Sequence, residues 1–272
     1  NIDKSSGPTS FNISDFVRKK LNLRKTSHFG TLDPKVTGVL PIALNRACKL
    51  TGYFLGEDKE YIGVMRIHED ISLDKIKKTI KEKFLGKIKQ TPPVRSRVKR
   101  QERIREIKKF NILEKNGKNI LFHVECEGGT YIRKICSDLG DYMKIGTHML
   151  ELRRIRAGII REHDKKYPSI NLYEFLQAVD EYKKGNEELL KRMIIPAEII
   201  TQLHPIIKVK EREVKRLLTG KPIFKEDLTR KEKMETGKII CVFSEERFIG
   251  MYKVTNNGDI FAKSEFVMQP IK

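Results

Sequence analysis

Asp33 is the side chain in this sequence whose surroundings most favour chemistry. It lies in the segment HFGTLDPKVTGVLPIAL (28–44) and is followed directly by Pro34. A residue that precedes proline is disfavoured in the helical region, so we expect the Asp33 backbone to be extended or in a turn, with its carboxylate presented outward. An Asx-turn or a helix N-cap explains most Asp-Pro pairs, and by itself this pair also has that explanation.

The cysteines do not indicate a metal centre or a disulfide framework. The sequence contains no C-x-x-C pair and no histidine at ligand spacing from a cysteine. Buried, reduced thiols are the favoured interpretation of all four, which are Cys48, Cys126, Cys136 and Cys241.

The charge balance favours a polyanionic partner. The 272 residues include 56 Lys and Arg against 36 Asp and Glu, a formal net charge of +20. Such a surface attracts nucleic acid by releasing condensed counterions, although anionic lipid attracts it as well. No apolar stretch approaches the roughly 20 residues that span a bilayer, and no signal-peptide pattern opens the chain. We therefore expect a soluble, intracellular protein without a membrane partner.

The hydrophobic patterns predict an α+β fold with a mixed, largely antiparallel sheet. Helical spacing of apolar residues appears in 8–23, 73–84, 130–143, 170–185 and 186–194. Strand patterns appear in 59–67 and 148–158, and Asn116-Gly117 predicts a β-hairpin whose loop length the flanking lysines leave open. Short strands punctuated by glycines follow His204-Pro205. We expect a catalytic domain over 1–203 and a small β-rich domain over 204–272.

Four sequence blocks together resemble the TruB and dyskerin family of pseudouridine synthases. The string GTLDP-x-x-x-GVLP resembles the family's active-site motif. Three further blocks recur in the family's order along the chain: NIDKSSGPTS, KEYIGVMRIH, and the pair GGTYIRKICSDLG and HMLELRRIRAG. The resemblance covers about residues 1 to 200, and the β-rich region after it looks like the family's RNA-binding PUA barrel on weaker motif evidence.

The resemblance implies that the protein is an isomerase, an RNA pseudouridine synthase that needs no cofactor or metal. Asp33 would act on the sugar, Arg133 would pair with that carboxylate, and Tyr61 would stack on the target base. Without the resemblance, Arg133 would be a surface arginine and Tyr61 a core tyrosine. Further residues are implied to bind the substrate: His28, for which a satisfied structural histidine is the alternative, together with Tyr131, Leu152, Lys99 and Arg100. The last two lie in the basic segment 87–109, which has ten basic and two acidic residues and resembles the family's thumb loop.

The wording of the motifs resembles the archaeal and eukaryotic dyskerin branch. That branch works inside H/ACA ribonucleoprotein particles, so the implied partners are an H/ACA guide RNA, a substrate rRNA or tRNA, and small H/ACA proteins, with no DNA expected. A stand-alone enzyme that forms pseudouridine-55 in tRNA is the alternative. The archaeal interpretation implies a cytoplasmic protein and the eukaryotic one a nucleolar protein. Phe29 departs from the family pattern, and we expect its ring to affect the substrate approach.

Overall fold

The chain forms two compact units, Asn1–Ile195 and Pro196–Lys272. The computed structural model describes residues 1–92 and 100–268. Each unit has its own hydrophobic core. The assignment of catalysis to residues 1–203 and of RNA binding to residues 204–272 stays a prediction, because compactness carries no information about activity. No helix in the described ranges is long and apolar enough to cross a membrane.

Within residues 1–92 and 100–195, the first unit contains ten strands and six α-helices. Its strands are β1 (Ile2–Lys4), β2 (Thr26–His28), β3 (Thr37–Leu40), β4 (Ile42–Leu44), β5 (Lys59–Ile67), β6 (Gly86–Gln90), β7 (Arg103–Asn116), β8 (Asn119–Cys126), β9 (Thr147–Ala157) and β10 (Ile160–Arg161). Its helices are α1 (Ser10–Lys20), α2 (Thr51–Leu55), α3 (Leu73–Lys83), α4 (Ile132–Met143), α5 (Leu172–Lys183) and α6 (Glu188–Met193), with a 3₁₀ helix at Asn45–Leu50.

Eight of these strands form one mixed sheet in the order β1-β3-β9-β5-β8-β7-β6, with β10 beside β9. The pair β3 and β9 is parallel, and the other pairs described in this sheet are antiparallel. Strands β2 and β4 pair separately. The expected class, an α+β fold with a largely antiparallel sheet, is confirmed.

One face of the large sheet carries the core. Alternate residues of β5 are buried, among them Tyr61, Met65 and Ile67. Helix α4 packs against β9 and α3 against β7, and the apolar faces of these helices enter the same cluster. Buried residues recur with a period of two along the strand and with a period of 3.6 along the helices, as the sequence predicted.

The hairpin and the first helix show how local residues set the elements. Asn116 pairs with Asn119, so the β7–β8 loop left open by the sequence contains two residues. Thr9 begins α1: its hydroxyl accepts a hydrogen bond from the Asn12 amide, and the Asn12 side chain accepts one from the Thr9 amide. This reciprocal capping satisfies two backbone donors at the helix start.

The second unit is β-rich. Its elements are β11 (Ile206–Lys208), α7 (Val214–Leu217), β12 (Ile223–Phe224), β13 (Ile239–Ser244), β14 (Arg247–Asn257) and β15 (Ile260–Val267), with 3₁₀ helices at Ala197–Gln202, Glu211–Glu213 and Lys225–Asp227. The five strands form one sheet in the order β11-β13-β14-β15-β12, with β11 and β13 parallel. The Tyr252 hydroxyl donates to the Leu217 carbonyl inside the core of this unit, at 3.1 Å.

Candidate active site

Asp33 lies on a tight turn between β2 and β3. Its carbonyl accepts a hydrogen bond from the Val36 amide at 3.0 Å, which closes the turn around Pro34 and Lys35. Proline suits such a position because its ring presets φ. The turn expected from the Asp-Pro pair is therefore confirmed. The Asp33 side chain does not cap a helix, since β3 follows the turn.

The first residue of α1 and the segment just before the helix hold this turn in place. The Ser10 hydroxyl donates to the Leu32 carbonyl at 3.0 Å and accepts from the Leu32 amide at 2.8 Å. The Gly7 amide donates to the Pro34 carbonyl at 2.9 Å. Backbone groups on both sides of Asp33 are thus satisfied by a neighbouring segment, which limits the positions that the carboxylate can take.

Lys4 adds a buried cation beneath the same turn. Its ammonium donates to the carbonyls of Pro34 at 2.9 Å and Val36 at 2.8 Å, and also to that of Ser5 at 2.9 Å. Burial lowers the pKa of Lys4 from its ordinary value. Three acceptors for three donors make this lysine a structural tie for the turn.

Asp33 and Arg133 form an ion pair, so the structure brings together the two residues that the sequence assigned to each other. Arg133 lies in the first turn of α4, where the positive end of the helix also favours a carboxylate. The Asp33 side chain is 49% exposed and that of Arg133 60% exposed, so a substrate can reach both. Their catalytic roles stay predictions.

The start of α4 is tied to the strand that leads into the basic segment. The Gln90 amide group donates to the Tyr131 carbonyl at 3.2 Å, and the Tyr131 amide donates to the Gln90 side chain at 3.0 Å. Gln90 is buried at the end of β6, and Tyr131, which precedes α4, is partly buried. Sequence reasoning missed Gln90, since a lone glutamine carries no signal of such a contact.

Tyr61 and Leu152 share the core face of the sheet. Leu152 pairs with Gly63 across β5 and β9, and Tyr61 lies two residues before Gly63. Both side chains are almost buried, at 8% and 7% exposure. Burial raises the pKa of the Tyr61 phenol, and the charge of Arg154 opposes that shift, so the phenol is neutral at neutral pH. Core packing and contact with a flipped base both fit this position, and the base-stacking role stays a prediction.

Arg154 is a residue that the sequence analysis did not single out. It is 1% exposed, lies opposite Tyr61 in the pairing of β5 with β9, and its charge acts on the phenol. Its guanidinium also donates to the carbonyls of Val39 at 2.8 Å and Gly30 at 3.1 Å. The available signal was the alternation of HMLELRR, which places Leu152 and Arg154 on one face of a strand and Arg153 on the other.

His28 ends β2 and borders a cavity. Its Nδ1 atom is buried and has no hydrogen-bond partner among the described residues. Burial, and secondarily the charge of Arg154, lowers the pKa of His28. The cavity has a volume of about 340 Å³ and is lined by Phe11, Ser14, Asp15, Arg18, Arg24, Lys25, Thr26, Ser27 and His28. Substrate binding by His28 stays a prediction.

Part of the thumb-like segment lies outside the described residues. Lys99 is among these, so the structure neither supports nor opposes its assignment. Arg100 is exposed, between β6 and β7, which pair antiparallel. Both assignments as RNA contacts stay predictions.

Phe29 packs inside the unit. Its ring stacks on Phe54, with ring centroids 4.4 Å apart, and the residue is 8% exposed. The effect of Phe29 on the substrate approach stays a prediction. Among the described residues no group of three or more His, Cys, Asp or Glu side chains could hold a metal ion.

Comparisons with known proteins agree with this arrangement. A model described as the N-terminal domain of the TruB family of pseudouridylate synthases matches residues 18–132. A model described as the tRNA pseudouridylate synthase B C-terminal domain matches residues 133–202. A "Probable tRNA pseudouridine synthase B" of Methanocaldococcus jannaschii is 43% identical over 224 residues, which cover 82% of this chain and 65% of that relative.

Two solved structures are similar over 99% of the chain. The first is a Cbf5-Nop10-Gar1 complex, with a TM-score of 0.88, 33% identity and 84% of the matched chain covered. The second is an H/ACA RNP bound to a substrate RNA containing 2′-deoxyuridine, with a TM-score of 0.87, 31% identity and 84% of the matched chain covered. The family models, the relative and these folds together confirm the resemblance read from the four sequence blocks: the chain belongs to the TruB family of pseudouridylate synthases.

Proposed function

We propose that this protein isomerises uridine to pseudouridine in RNA, with Asp33 as the carboxylate that acts on the ribose. The observation that carries the proposal is the ion pair of Asp33 and Arg133, in which both side chains are about half exposed. Exposed ion pairs contribute little to stability, so stability does not explain why a clamped turn and a helix start converge on this one. A chemical role explains it.

The reaction needs a carboxylate beside the sugar. Breaking the bond between N1 of uracil and C1′ leaves positive charge on C1′ and negative charge on the base. Asp33 stabilises or captures C1′ while the base turns, and the base then rejoins the sugar through C5. C5 loses a proton and N1 gains one, so the product is an isomer of the substrate.

Arg133 and the apolar wall supply the remaining parts. The planar guanidinium aims the Asp33 carboxylate, and its attraction strengthens when bound RNA excludes water. An enzyme that works on a base takes it out of the stack and receives it against an aromatic or apolar surface. We assign that surface to Tyr61 and Leu152, which lie on the same face of the sheet.

The RNA backbone is held by the basic surface in this proposal. Arg24 and Lys25 are exposed beside the cavity that His28 borders, and Arg100 is exposed within the basic segment. The formal net charge of +20 supports an electrostatic grip on phosphates. In this proposal residues 204–272 form a PUA-like RNA-binding domain. The β-rich second unit supports this assignment, as does the composition of residues 201–272, which hold 15 basic and 10 acidic residues.

We further propose that an H/ACA guide RNA selects the substrate by base pairing and that small H/ACA proteins assemble with the chain. The likeness to Cbf5 in a complex with Nop10 and Gar1 and to an H/ACA RNP supports this. The second candidate is stand-alone modification of tRNA, which the name of the Methanocaldococcus jannaschii relative favours. The chain spans 65% of that relative's length.

The test is uridine-to-pseudouridine conversion by the full chain on three RNAs. They are a tRNA transcript alone, a short uridine-containing RNA alone, and that RNA with a complementary H/ACA guide, the last with and without accessory proteins. Conversion only with the guide supports H/ACA guidance, and conversion of tRNA alone supports the second candidate. The proposal of a pseudouridine synthase fails if the protein binds these RNAs and converts none.

A further inference from the structure

Arg154 carries a buried positive charge that stability does not explain. The residue is 1% exposed, and no carboxylate of the described residues lies within ion-pair distance of its guanidinium. Its hydrogen bonds go to two backbone carbonyls, of Val39 and Gly30, and its charge also acts on the Tyr61 phenol, which lies opposite it across the strand pair. Removing a guanidinium from water without an opposite charge is costly, and an apolar side chain of similar volume often serves a core better.

Neighbouring cations increase that cost. Lys59 is 4% exposed, and burial together with the charge of Arg154 lowers its pKa to about 8. The charge of Arg154 also contributes to the lowered pKa of His28. The core at this point therefore retains a charge that its surroundings disfavour, which indicates a function for the guanidinium.

Arg153, the next residue, shows the ordinary arrangement. It lies on the opposite face of β9, where its guanidinium forms ion pairs with Asp3, at 2.8 Å, and Glu162. Those contacts join β1 and the segment after β10 to β9 at the surface. Adjacent arginines thus have different environments: one is neutralised by two carboxylates, and the other is bound only to neutral acceptors.

The groups that interact with Arg154 belong to three elements that build the site. Tyr61 lies on β5, Val39 on β3, and Gly30 at the start of the loop that leads to Asp33. Gly30 has a φ of +101°, and a Cβ atom there would lie 3.4 Å from an Arg154 nitrogen, so the loop is seated closely on the guanidinium. A planar fork with fixed donor directions can hold such groups in one geometry, which a lysine cannot.

We propose that Arg154 is a positioning residue that holds the Tyr61 phenol and the Gly30–Asp33 loop in one fixed relation. The base wall and the attacking carboxylate then face the same nucleotide. This inference rests on the proposed function. Because its side chain is buried, Arg154 acts through Tyr61 and the loop and does not contact RNA.

The experiment compares five variants of the full chain: Arg154→Lys, Arg154→Met, Tyr61→Phe, the double variant Tyr61→Phe with Arg154→Lys, and Arg153→Met as control. Single-turnover conversion is measured at saturating enzyme, beside RNA affinity and thermal melting. Tyr61→Phe keeps the ring and removes only the hydroxyl with which the Arg154 guanidinium interacts. Its fold should therefore survive even if an Arg154 variant does not fold.

We expect Arg154→Lys and Tyr61→Phe each to lower the single-turnover rate about tenfold or more, since small misplacements of reacting groups have effects of this size. RNA affinity should stay within about twofold, because a buried side chain makes no phosphate contact. The double variant should lose no more than its worse parent, since both changes break one contact. Arg153→Met should lower the melting temperature and leave the rate unchanged.

Three results would overturn the inference. The first is a folded Arg154→Lys variant with a rate within about twofold of the unaltered protein. The second is a pair of losses that multiply in the double variant, as expected for independent effects. If neither Arg154 variant folds, an unchanged rate in Tyr61→Phe overturns it. Lack of conversion by the unaltered protein is a different outcome, which refutes the proposed function and this inference with it.

Discussion

The Ser10 hydroxyl and the Leu32 backbone exchange two hydrogen bonds, at 3.0 and 2.8 Å, next to the Asp33 turn. One small side chain thereby satisfies both backbone polar groups of a buried residue, since Leu32 is 3% and Ser10 1% exposed. The turn is thus held by a hydroxyl from the first turn of α1. An active-site carboxylate on a loop needs such support, because its direction depends on the backbone below it.

Replacement of Ser10 by Ala should lower the free energy of unfolding by about 1–3 kcal/mol, since it leaves a buried donor and acceptor unpaired. Denaturant unfolding followed by circular dichroism measures this. Ser6→Ala is the matched control, because Ser6 is exposed in the same segment. Equal stability of Ser10→Ala and Ser6→Ala would contradict the clamp.

Asp33→Asn should abolish pseudouridine formation while fold and RNA affinity stay nearly intact. The amide keeps the size of the carboxylate but supplies neither the negative charge nor a competent nucleophile at C1′. We expect a loss of several powers of ten in the single-turnover rate, each worth about 1.4 kcal/mol of barrier. Arg133→Lys should have a milder effect because it keeps charge and loses the planar grip.

The matched control for Asp33→Asn is Asp74→Asn, in the first turn of α3 and exposed. It should keep the full rate. A thermal melt and a binding titration of each variant separate chemistry from folding and affinity. Turnover near the unaltered rate in Asp33→Asn would remove the catalytic assignment.

Gly38→Ala should strongly destabilise the first unit. A Cβ atom there would lie 2.2 Å from the Arg154 carbonyl oxygen, in the parallel pairing of β3 with β9, and Gly38 has a φ of +98°. The expected loss is about 2 kcal/mol or more, because backbone atoms must move and the conformation disfavours a side chain. Gly52→Ala, in helix α2 with open space around its Cβ position, should be neutral or stabilising by up to about 1 kcal/mol. Similar melting temperatures for the two variants would refute this contrast.

Lys59 should make stability depend on pH above neutrality. Its pKa is about 8 in the folded protein against 10.5 in the unfolded chain. As pH falls from 10.5 to 8, the unfolded chain takes up this proton first. The contribution of Lys59 to the free energy of unfolding therefore falls with falling pH and is lowest below pH 8. The change in this free energy over that pH range has an upper limit of about 3 kcal/mol.

The measurement is the difference in free energy of unfolding between the unaltered protein and Lys59→Met, taken near pH 7.5 and again near 10.5. The unaltered protein should gain on the variant at the higher pH, and subtraction removes the other titrating groups. Lys77→Met, on the exposed side of α3, is the matched control. A difference that is equal at both pH values would contradict the buried environment of Lys59.

Lys99→Ala with Arg100→Ala should weaken RNA binding and flatten its dependence on salt. Each lost phosphate contact should lower the slope of log affinity against log salt by about 0.7 to 0.9. The control is Lys77→Ala with Lys78→Ala, which removes the same charge from α3. Equal slopes for the unaltered protein and the Lys99 and Arg100 variant would exclude the basic segment as a phosphate contact.

Local patterns predicted the secondary structure because local forces dominate there. The strand at 59–67 is β5 with the same bounds, and the helical segment 73–84 contains α3, whose Ile76 and Ile80 are buried. The Asn-Gly pair located the hairpin, while its loop length depended on how β7 and β8 pair in register. The register is set by the contacts between two strands, so neither strand specifies it alone.

The chain's family and the pairing of Asp33 with Arg133 were both predicted from sequence, because a motif records a chemical requirement that survives changes elsewhere. The orientation of Phe29 was not predictable in this way. Its ring stacks on Phe54, a residue of α2 that no motif connects to it.

The sequence by itself determined the α+β class, the longer helices and strands, the carboxylate and its guanidinium partner, and a surface charge suited to RNA. Only the tertiary structure decided which buried groups support these residues. They are the Ser10 hydroxyl bonded to Leu32, the Lys4 ammonium bonded to the carbonyls of the turn, and the Arg154 guanidinium, which is buried beside Tyr61 and Gly30 without a carboxylate partner among the described residues. The physical reason is range. Propensity, periodicity and motif wording act over a few residues, whereas the partner and dielectric surroundings of a buried polar group come from segments that meet only in the folded chain.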